Sequence, residues 1–276
     1  MRFRPVDRVL LGYVAVASVV AAARLPGNPA CAWVLLANLL LVVLAMLVNR
    51  PGLGPIGLGL AEISPLIVVA GFYGALDILS AHGGVPIHDA LVQRWEAALF
   101  GGQVSREWWQ RYPSRFWSTL LHGAYLSYYL IVPTGPLWFL ARGQRENLRR
   151  AVLALVTTYV ICYVAFIFFP VAGPYYAFPR PSAAFLDNGP AHLVYYLLVG
   201  GSSFGAAFPS SHVAASVAAT ITAARGSRPL GLILAVPAAL LTVSVVYCQM
   251  HYGVDAVVGV AVGMAVAAAV IGREPK

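Results

Sequence analysis

The chain has 276 residues, of which 60% are hydrophobic and only 10% are charged. A soluble domain usually carries about 25% charged residues, so this composition excludes a water-soluble globule. The formal net charge of +8 does not indicate a nucleic-acid partner, because the Arg residues lie in short segments between apolar runs. The three Cys residues are far apart and are expected to be buried, and no metal or other cofactor is predicted.

Eight apolar runs are long enough, or nearly long enough, to cross a membrane as helices. They fall at residues 9–23, 30–48, 60–80, 116–140, 151–170, 212–224, 229–249 and 252–271. We therefore predict an all-α, polytopic transmembrane helical bundle of about eight spans, with the first run retained rather than removed as a signal peptide. Residues 81–115, with Trp among charged residues, predict an interfacial segment, and residues 171–211 predict a short helix near 191–199.

The distribution of basic residues indicates which end of the bundle faces the cytoplasm. With eight spans and an inside N-terminus, the inside segments carry twelve of the 18 Lys and Arg residues. The run from Arg142 to Arg150 is the strongest inside marker. We therefore expect a multi-pass protein with both termini in the cytoplasm, and the Ala-rich, Lys-poor composition suggests a bacterial plasma membrane.

Three stretches with reactive side chains fall at the same predicted outer end of the bundle. They are residues 173–181 (GPYYAFPRP), 208–212 (FPSSH) and 251–255 (HYGVD). In the second stretch, Ser210 or Ser211 is a natural N-cap for an apolar helix, and the amides at a helix start bind anions. His212 would lie in the first turn beside that anion. Taken alone, this stretch is also consistent with a capped helix whose His only packs at the interface.

The third stretch places His251 and Asp255 four positions apart, on one face of a helix. Asp255 would hold one ring nitrogen and leave the other free, as an Asp does beside a catalytic His, although a self-contained pair at a helix end is the alternative.

Together the three stretches predict a phosphate-transfer site. His251 would attack phosphorus and become a phosphohistidine, and His212 would protonate the leaving alcohol. The helix start and Arg180 would hold the phosphate oxygens without a metal. The predicted substrate-binding residues are Arg180, Ser210, Ser211, Tyr175 and Tyr176.

At these residues the chain resembles the type 2 phosphatidic acid phosphatase superfamily. The motifs of that family are Lys-x6-Arg-Pro, Pro-Ser-Gly-His and Ser-Arg-x5-His-x3-Asp. They appear here as Gly173-x6-Arg180-Pro181, Pro209-Ser210-Ser211-His212 and Ser244-Val245-x5-His251-x3-Asp255. The resemblance implies a six-helix catalytic domain at residues 60–276, preceded by two additional transmembrane helices at 1–59, and a lipid phosphate or phosphoinositide substrate.

Gly173 stands where the family has Lys, and Val245 stands where it has Arg. The forms FPSSHVA and HYGVDAVVG are more similar to the branch that contains inositol phosphorylceramide synthases, and His122 and Tyr125 suggest the same branch. That similarity implies transfer of phosphoinositol, with inositol or a lipid hydroxyl as the acceptor. Hydrolysis by water and transfer to an alcohol both stay open.

Two other classes of function stay open from the sequence. A membrane transporter or channel would have interrupted helices near the middle of the membrane, and Pro65 and Pro133 lie inside predicted spans. A non-catalytic protein that binds phosphorylated lipid is consistent with the replaced cations. Glu62 and Asp77 in the third span are expected to serve packing or topology rather than catalysis.

Overall fold

The computed structural model describes residues 3–50, 52–80, 85–201 and 203–272. Its regular elements are helices, which confirms the predicted all-α fold. They are α1 (Pro5–Arg24), α2 (Cys31–Val48), α3 (Pro55–Leu79), α4 (Asp89–Phe100), α5 (Val104–Arg111), α6 (Arg115–Leu126), α7 (Tyr128–Ala141), α8 (Arg145–Phe168), α9 (Pro174–Ala177), α10 (Ala183–Leu186), α11 (Gly189–Gly201), α12 (Ser211–Gly226), α13 (Arg228–Tyr247) and α14 (Gly253–Ile271). The three Cys side chains are free and buried, as expected.

Within these ranges, six helices are long and apolar enough to cross a membrane, namely α1, α2, α3, α8, α13 and α14. The prediction of one continuous helix at 116–140 is wrong, because α6 and α7 are divided at Ser127. The Ser127 hydroxyl donates to the Ala124 carbonyl, and such bonding to the preceding turn bends a helix.

The helix expected at 212–224 is α12, which is short and central. Its 16 residues cover roughly 24 Å, less than the hydrocarbon thickness of about 30 Å. It packs against α7, α8, α13 and α14, and most of its side chains are buried. Its apolar sequence therefore serves contact with other helices more than contact with lipid.

Glycines bring α12 and α14 into backbone contact. A Cβ on Gly259 would lie 2.7 Å from the Ser210 carbonyl oxygen, and one on Gly263 would overlap the Ala214 carbonyl. A side chain fits at neither position, as at the small-residue interfaces of membrane helices. This glycine contact brings the starts of α12 and α14, which carry the second and third motifs, to the same end of the bundle.

An ion network joins the helices at the end of the bundle that is opposite to the starts of α12 and α14. Glu62 pairs with Arg149 at 2.5 Å, and Arg4 lies 3.8 Å from the same carboxylate. Arg4 also pairs with buried Asp7, to which Asn49 donates a hydrogen bond. Glu62 therefore has the packing role expected of it. The network ties α1 and α2 to α3 and α8, across the predicted domain boundary at residue 60, which stays a prediction.

Two long connections cover what we call the site end of the bundle, where α8 ends and α12 and α14 begin. The first contains α4 and α5, and the second contains α9 to α11, which confirms the short helix predicted near 191–199. Asp77 at the end of α3 fastens the second connection, since its carboxylate accepts hydrogen bonds from the Ser203 hydroxyl and the Phe204 amide. This contact gives Asp77 the structural role that was expected.

Candidate active site

His251 lies in the turn between α13 and α14, so the prediction that it shares a helix face with Asp255 is wrong. Its Nδ1 lies 2.9 Å from the Ala207 carbonyl oxygen and 3.5 Å from Asp255 Oδ2. A carbonyl oxygen can only accept, so Nδ1 carries the proton and Nε2 keeps its lone pair. The Ala207 carbonyl therefore sets the tautomer of His251, and Asp255 lies beside it. The sequence had indicated Asp255 alone for this role.

Asp255 is fully buried at the start of α14. Its Oδ2 accepts the Tyr252 amide at 2.8 Å in a capping box, and its backbone carbonyl accepts the Ser210 amide at 3.1 Å. Asp255 thus connects the N-terminus of α14 to the N-cap of α12. Its carboxylate is also close enough to His251 to stabilise positive charge on that ring.

His212 lies in the first turn of α12, as expected, and its ring centroid is 5.8 Å from that of His251. Ser210 caps this helix by accepting the Val213 amide at 3.4 Å. The amides of Ser211 and His212 come before the first intrahelical hydrogen bond, so they are available to an anion. The structure therefore brings both His residues, Asp255 and the helix start together at the site end.

Tyr125 contacts His212, a role that the sequence did not indicate. Its hydroxyl lies 3.2 Å from His212 Nε2, and the Tyr128 ring centroid lies 4.4 Å from that of His212. The other ring nitrogen, Nδ1, is buried and has no hydrogen-bond partner among the described residues. Buried polar atoms are nearly always paired, so this nitrogen is available to a hydrogen-bond partner from outside the described residues.

Arg180, Tyr175 and Tyr176 lie at the same end of the bundle in a separate group. The Arg180 guanidinium lies over the Tyr175 ring at 4.7 Å and near the Tyr195 ring at 5.9 Å. Tyr176 packs against Phe204 instead, with ring centroids 5.1 Å apart. These predicted substrate-binding residues therefore form the aromatic wall of the site end, and Arg180 is its exposed cation.

Gln249 fastens the loop before Arg180 to the turn that carries His251. Its side-chain amide donates to the Pro174 carbonyl at 3.2 Å and to the Pro179 carbonyl at 3.0 Å. Its Oε1 accepts from the Trp109 indole at 3.0 Å. Since Arg180 follows Pro179 directly, these bonds fix its backbone relative to the turn.

The family motifs carry a Lys and an Arg at the two positions where this chain has Gly173 and Val245. Gly173 has φ of +95°, which L side chains rarely adopt, and a Cβ there would lie 3.0 Å from the Ala207 Cβ. Val245 is fully buried in the core of the bundle. Both departures from the motif are therefore consistent with the surrounding structure.

We expect Gly173→Lys to lower activity, although it restores the residue of the family motif. Strain at a positive φ costs on the order of 1–3 kcal/mol, and relieving it would displace Ala207, whose carbonyl orients His251. A fall in turnover of about tenfold or more should follow, measured on purified folded protein. Gly143→Lys is the matched control, because Gly143 also has a positive φ, of +66°, and open space around its Cα. Activity of the Gly173 variant at or above that of the unmodified chain would contradict this account.

Two buried carboxylates on α4 hold the turn from the other side. Glu96 accepts the Gly253 amide at 2.8 Å, and burial raises the pKa of its carboxyl. Asp89 accepts the Gly173 amide and the Tyr252 hydroxyl, both at 2.9 Å. These roles were not predicted from the sequence, because acidic residues on an amphipathic helix usually face water.

The protonation of His251 predicts how activity should depend on pH. Burial lowers the pKa of His251 to about 4, although the hydrogen bond to Ala207 opposes the shift. Only the neutral ring can act as a nucleophile, so activity should persist below the usual His pKa of about 6.5 and disappear as the pH falls through about 4. The log of kcat/KM for a soluble phosphate ester, which reports the groups of the free protein, tests this when it is measured from about pH 3 to about pH 8. An acid limb centred at or above the usual value would contradict it.

The family model described as the PAP2 superfamily matches residues 91–269. The match covers more than half of the chain, and the chain belongs to the PAP2 superfamily. Neither the search of curated proteins nor the search of solved structures gave a match. Family membership and the six apolar helices make the chain an integral membrane protein. They point to a phosphatase-type enzyme for lipid phosphates, while the branch of inositol phosphorylceramide synthases stays a prediction.

Proposed function

We propose that the chain is a metal-independent lipid phosphatase or phosphotransferase that works through a phosphohistidine at His251. The observation that carries the proposal is the hydrogen bond from His251 Nδ1 to the Ala207 carbonyl, 2.9 Å long. It leaves Nε2 unprotonated in a ring that lies 5.8 Å from the His212 ring. Membership of the PAP2 superfamily supports the reaction class.

In the first step, the Nε2 lone pair of His251 attacks phosphorus, so that an N–P bond forms and the ester P–O bond breaks. Protonated His212 gives its proton to the departing alcohol oxygen. The negative substrate favours that protonated form, because an opposite charge nearby stabilises imidazolium. In the second step, the oxygen of water or of another alcohol attacks phosphorus, the N–P bond breaks, and His212 takes the proton.

Backbone donors hold most of the phosphate charge in this proposal. The amides of Ser211 and His212 and the positive end of the α12 dipole would face the phosphate oxygens. The Ser210 and Ser211 hydroxyls and Arg180 add donors at the same end of the bundle. Because Gly173 and Val245 carry no charge, phosphate binding would depend on the helix start more than in a chain that has the Lys and Arg of the family motifs.

We place this site at the outer face of the membrane, with both termini in the cytoplasm. The support is the distribution of basic residues, since the loop between α7 and α8 and the start of α8 carry Arg142, Arg145, Arg149 and Arg150. That loop lies at the end opposite to the site, so the site would face outward.

Transfer of phosphoinositol to or from a lipid is the second reaction that we propose for the same site. It is supported by the motif forms around His212 and His251 and by a pocket beside His212 that could admit an alcohol. Hydrolysis and transfer share the first step and differ only in the acceptor oxygen.

The test is incubation of purified protein with labelled phosphatidate and labelled phosphatidylinositol, each with and without EDTA. Released phosphate would identify a phosphatase, and a new labelled lipid would identify a transferase. EDTA should change neither rate. Strict dependence on a metal would overturn the proposed mechanism, and binding without any product would favour the non-catalytic alternative.

A further inference from the structure

We propose that a pocket beside His212 binds the alcohol part of the substrate, and that this alcohol is an uncharged lipid. The reaction rests on the proposed function, but the site is defined by the pocket itself. We call it the tyrosine pocket, a cavity of about 370 Å³ with Ser211 and His212 in its wall. Seven aliphatic residues of α3, α7 and α11 line it, together with Tyr73, Tyr125, Tyr128, Tyr129, Tyr159 and Tyr163.

Away from the helix start at Ser211 and His212, the chemistry of the wall excludes a charged group. No Asp, Glu, Lys or Arg is among the lining residues that the structure describes. A charge moved without a partner into that part of the pocket costs several kcal/mol or more, so a phosphate, ammonium or carboxylate group would not enter beyond the helix start. The Tyr163 hydroxyl has no hydrogen-bond partner in the described part of the chain, so it can bond to a neutral polar group of the occupant.

The position of the pocket along the bundle favours a lipid over a small water-soluble polyol. On α3 the lining runs from Tyr73 back to Leu66, and on α7 its deepest residue is Val132. Seven residues of helix cover roughly 10 Å, so the pocket extends from the site end toward the middle of the membrane. Its mouth is on the side of the bundle, where Tyr129 is 53% and Leu197 is 37% exposed. An apolar chain can enter there directly from the bilayer.

The arrangement of the two His residues decides which part of the substrate lies here. In an in-line displacement the leaving oxygen lies opposite to the attacking atom. With His251 attacking from one side of the phosphate, the alcohol oxygen lies on the side of His212. The unpartnered Nδ1 of His212 is consistent with a proton donor to that oxygen. An acceptor alcohol would use the same place, because the second step is the reverse of the first.

A second cavity provides an alternative position for an apolar chain. It is a groove of about 560 Å³ between α4, α5, α13 and α14. Its wall includes the ion pair of Glu107 with Arg111, and it reaches Gly253, next to the turn that carries His251. A chain in this groove would lie on the side of the nucleophile, where a leaving alcohol cannot be in line.

The first experiment blocks the mouth of the tyrosine pocket with Ala70→Trp. Ala70 lines the pocket and is exposed on the lipid-facing side of α3. Ile67→Trp is the matched control, because Ile67 is 70% exposed on the same helix and does not line the pocket. We expect kcat/KM for dodecyl phosphate to fall about tenfold or more in the Ala70 variant, while that for p-nitrophenyl phosphate changes less than about twofold. Equal changes for both substrates, or the same loss in the Ile67 variant, would overturn the inference.

The second experiment needs no turnover. A dodecanol that carries a diazirine should label α3, α7, α8 or α11 on irradiation, and unlabelled dodecanol should compete, whereas the cationic dodecylamine should not. Labelling of the groove between α4, α5, α13 and α14 instead, or equal competition by dodecylamine, would overturn the inference. Competed labelling of the tyrosine pocket in a chain that turns over no phosphate ester would support the alcohol site and refute the proposed function.

Discussion

The His251→Ala variant is expected to lose phosphate transfer by about four orders of magnitude or more while the chain stays folded. The proposed mechanism has no other atom that can form the covalent bond to phosphorus. The loss should therefore appear with every substrate, whatever its leaving group. Release of labelled phosphate from detergent-solubilised protein measures it, and the same label should be absent from the protein after a rapid acid-free quench.

A matched control separates the loss of the nucleophile from the loss of an imidazole at this end of the bundle. His192→Ala removes an exposed His from α11, whose side chain takes no part in the site. It should keep activity within about twofold of the original. Full activity in the His251 variant, with the same elution volume and thermal unfolding as the parent chain, would remove His251 as the nucleophile.

The second large effect is expected for His212→Ala, and it should depend on the leaving group. A general acid contributes about two to four orders of magnitude in rate when the leaving oxygen needs a proton. Alkyl phosphates need that proton, whereas p-nitrophenolate leaves without it. We therefore expect a large fall in kcat for dodecyl phosphate and a much smaller fall for p-nitrophenyl phosphate.

Tyr125→Phe extends this test, since it removes only the hydroxyl that lies 3.2 Å from His212 Nε2. Its effect should have the same dependence on the leaving group as the His212 variant but a smaller size, near the value of one hydrogen bond, about 0.5–1.5 kcal/mol. Equal losses for both esters in the His212 variant would show that His212 binds phosphate rather than donating the proton.

Helix periodicity and hydropathy were sufficient to predict most of the bundle. A segment that must satisfy its own backbone in lipid has few alternatives to a helix, so long apolar runs such as α8 and α13 were readily recognised. The division at Ser127 was not predicted, because it depends on one side chain bonding to the turn before it. The central position of α12 also depends on its neighbours, which hydropathy does not describe.

Only those features of the candidate site that depend on the type of side chain could be predicted from the sequence. The sequence pointed to His212, His251 and Asp255 through their spacing and the helix start, and the structure brings these side chains together, while their catalytic roles stay proposals. The Ala207 carbonyl could not be found, since every residue has a carbonyl and only the folded backbone brings this one to 2.9 Å from His251. Asp89 was missed for a related reason, because its partners are amides more than 80 positions away.

The direct contact of α12 and α14 through Gly259 and Gly263 affects how substrate selectivity can change during evolution. The side chains that we propose as the reacting groups, His212 and His251, lie beside helix starts that main-chain contact holds together, so their separation depends little on the shape of the surrounding apolar helices. Residues of α3 and α11 can therefore vary in size without moving these two side chains. In this architecture, selectivity for the lipid and the proposed phosphate-transfer activity can therefore evolve independently.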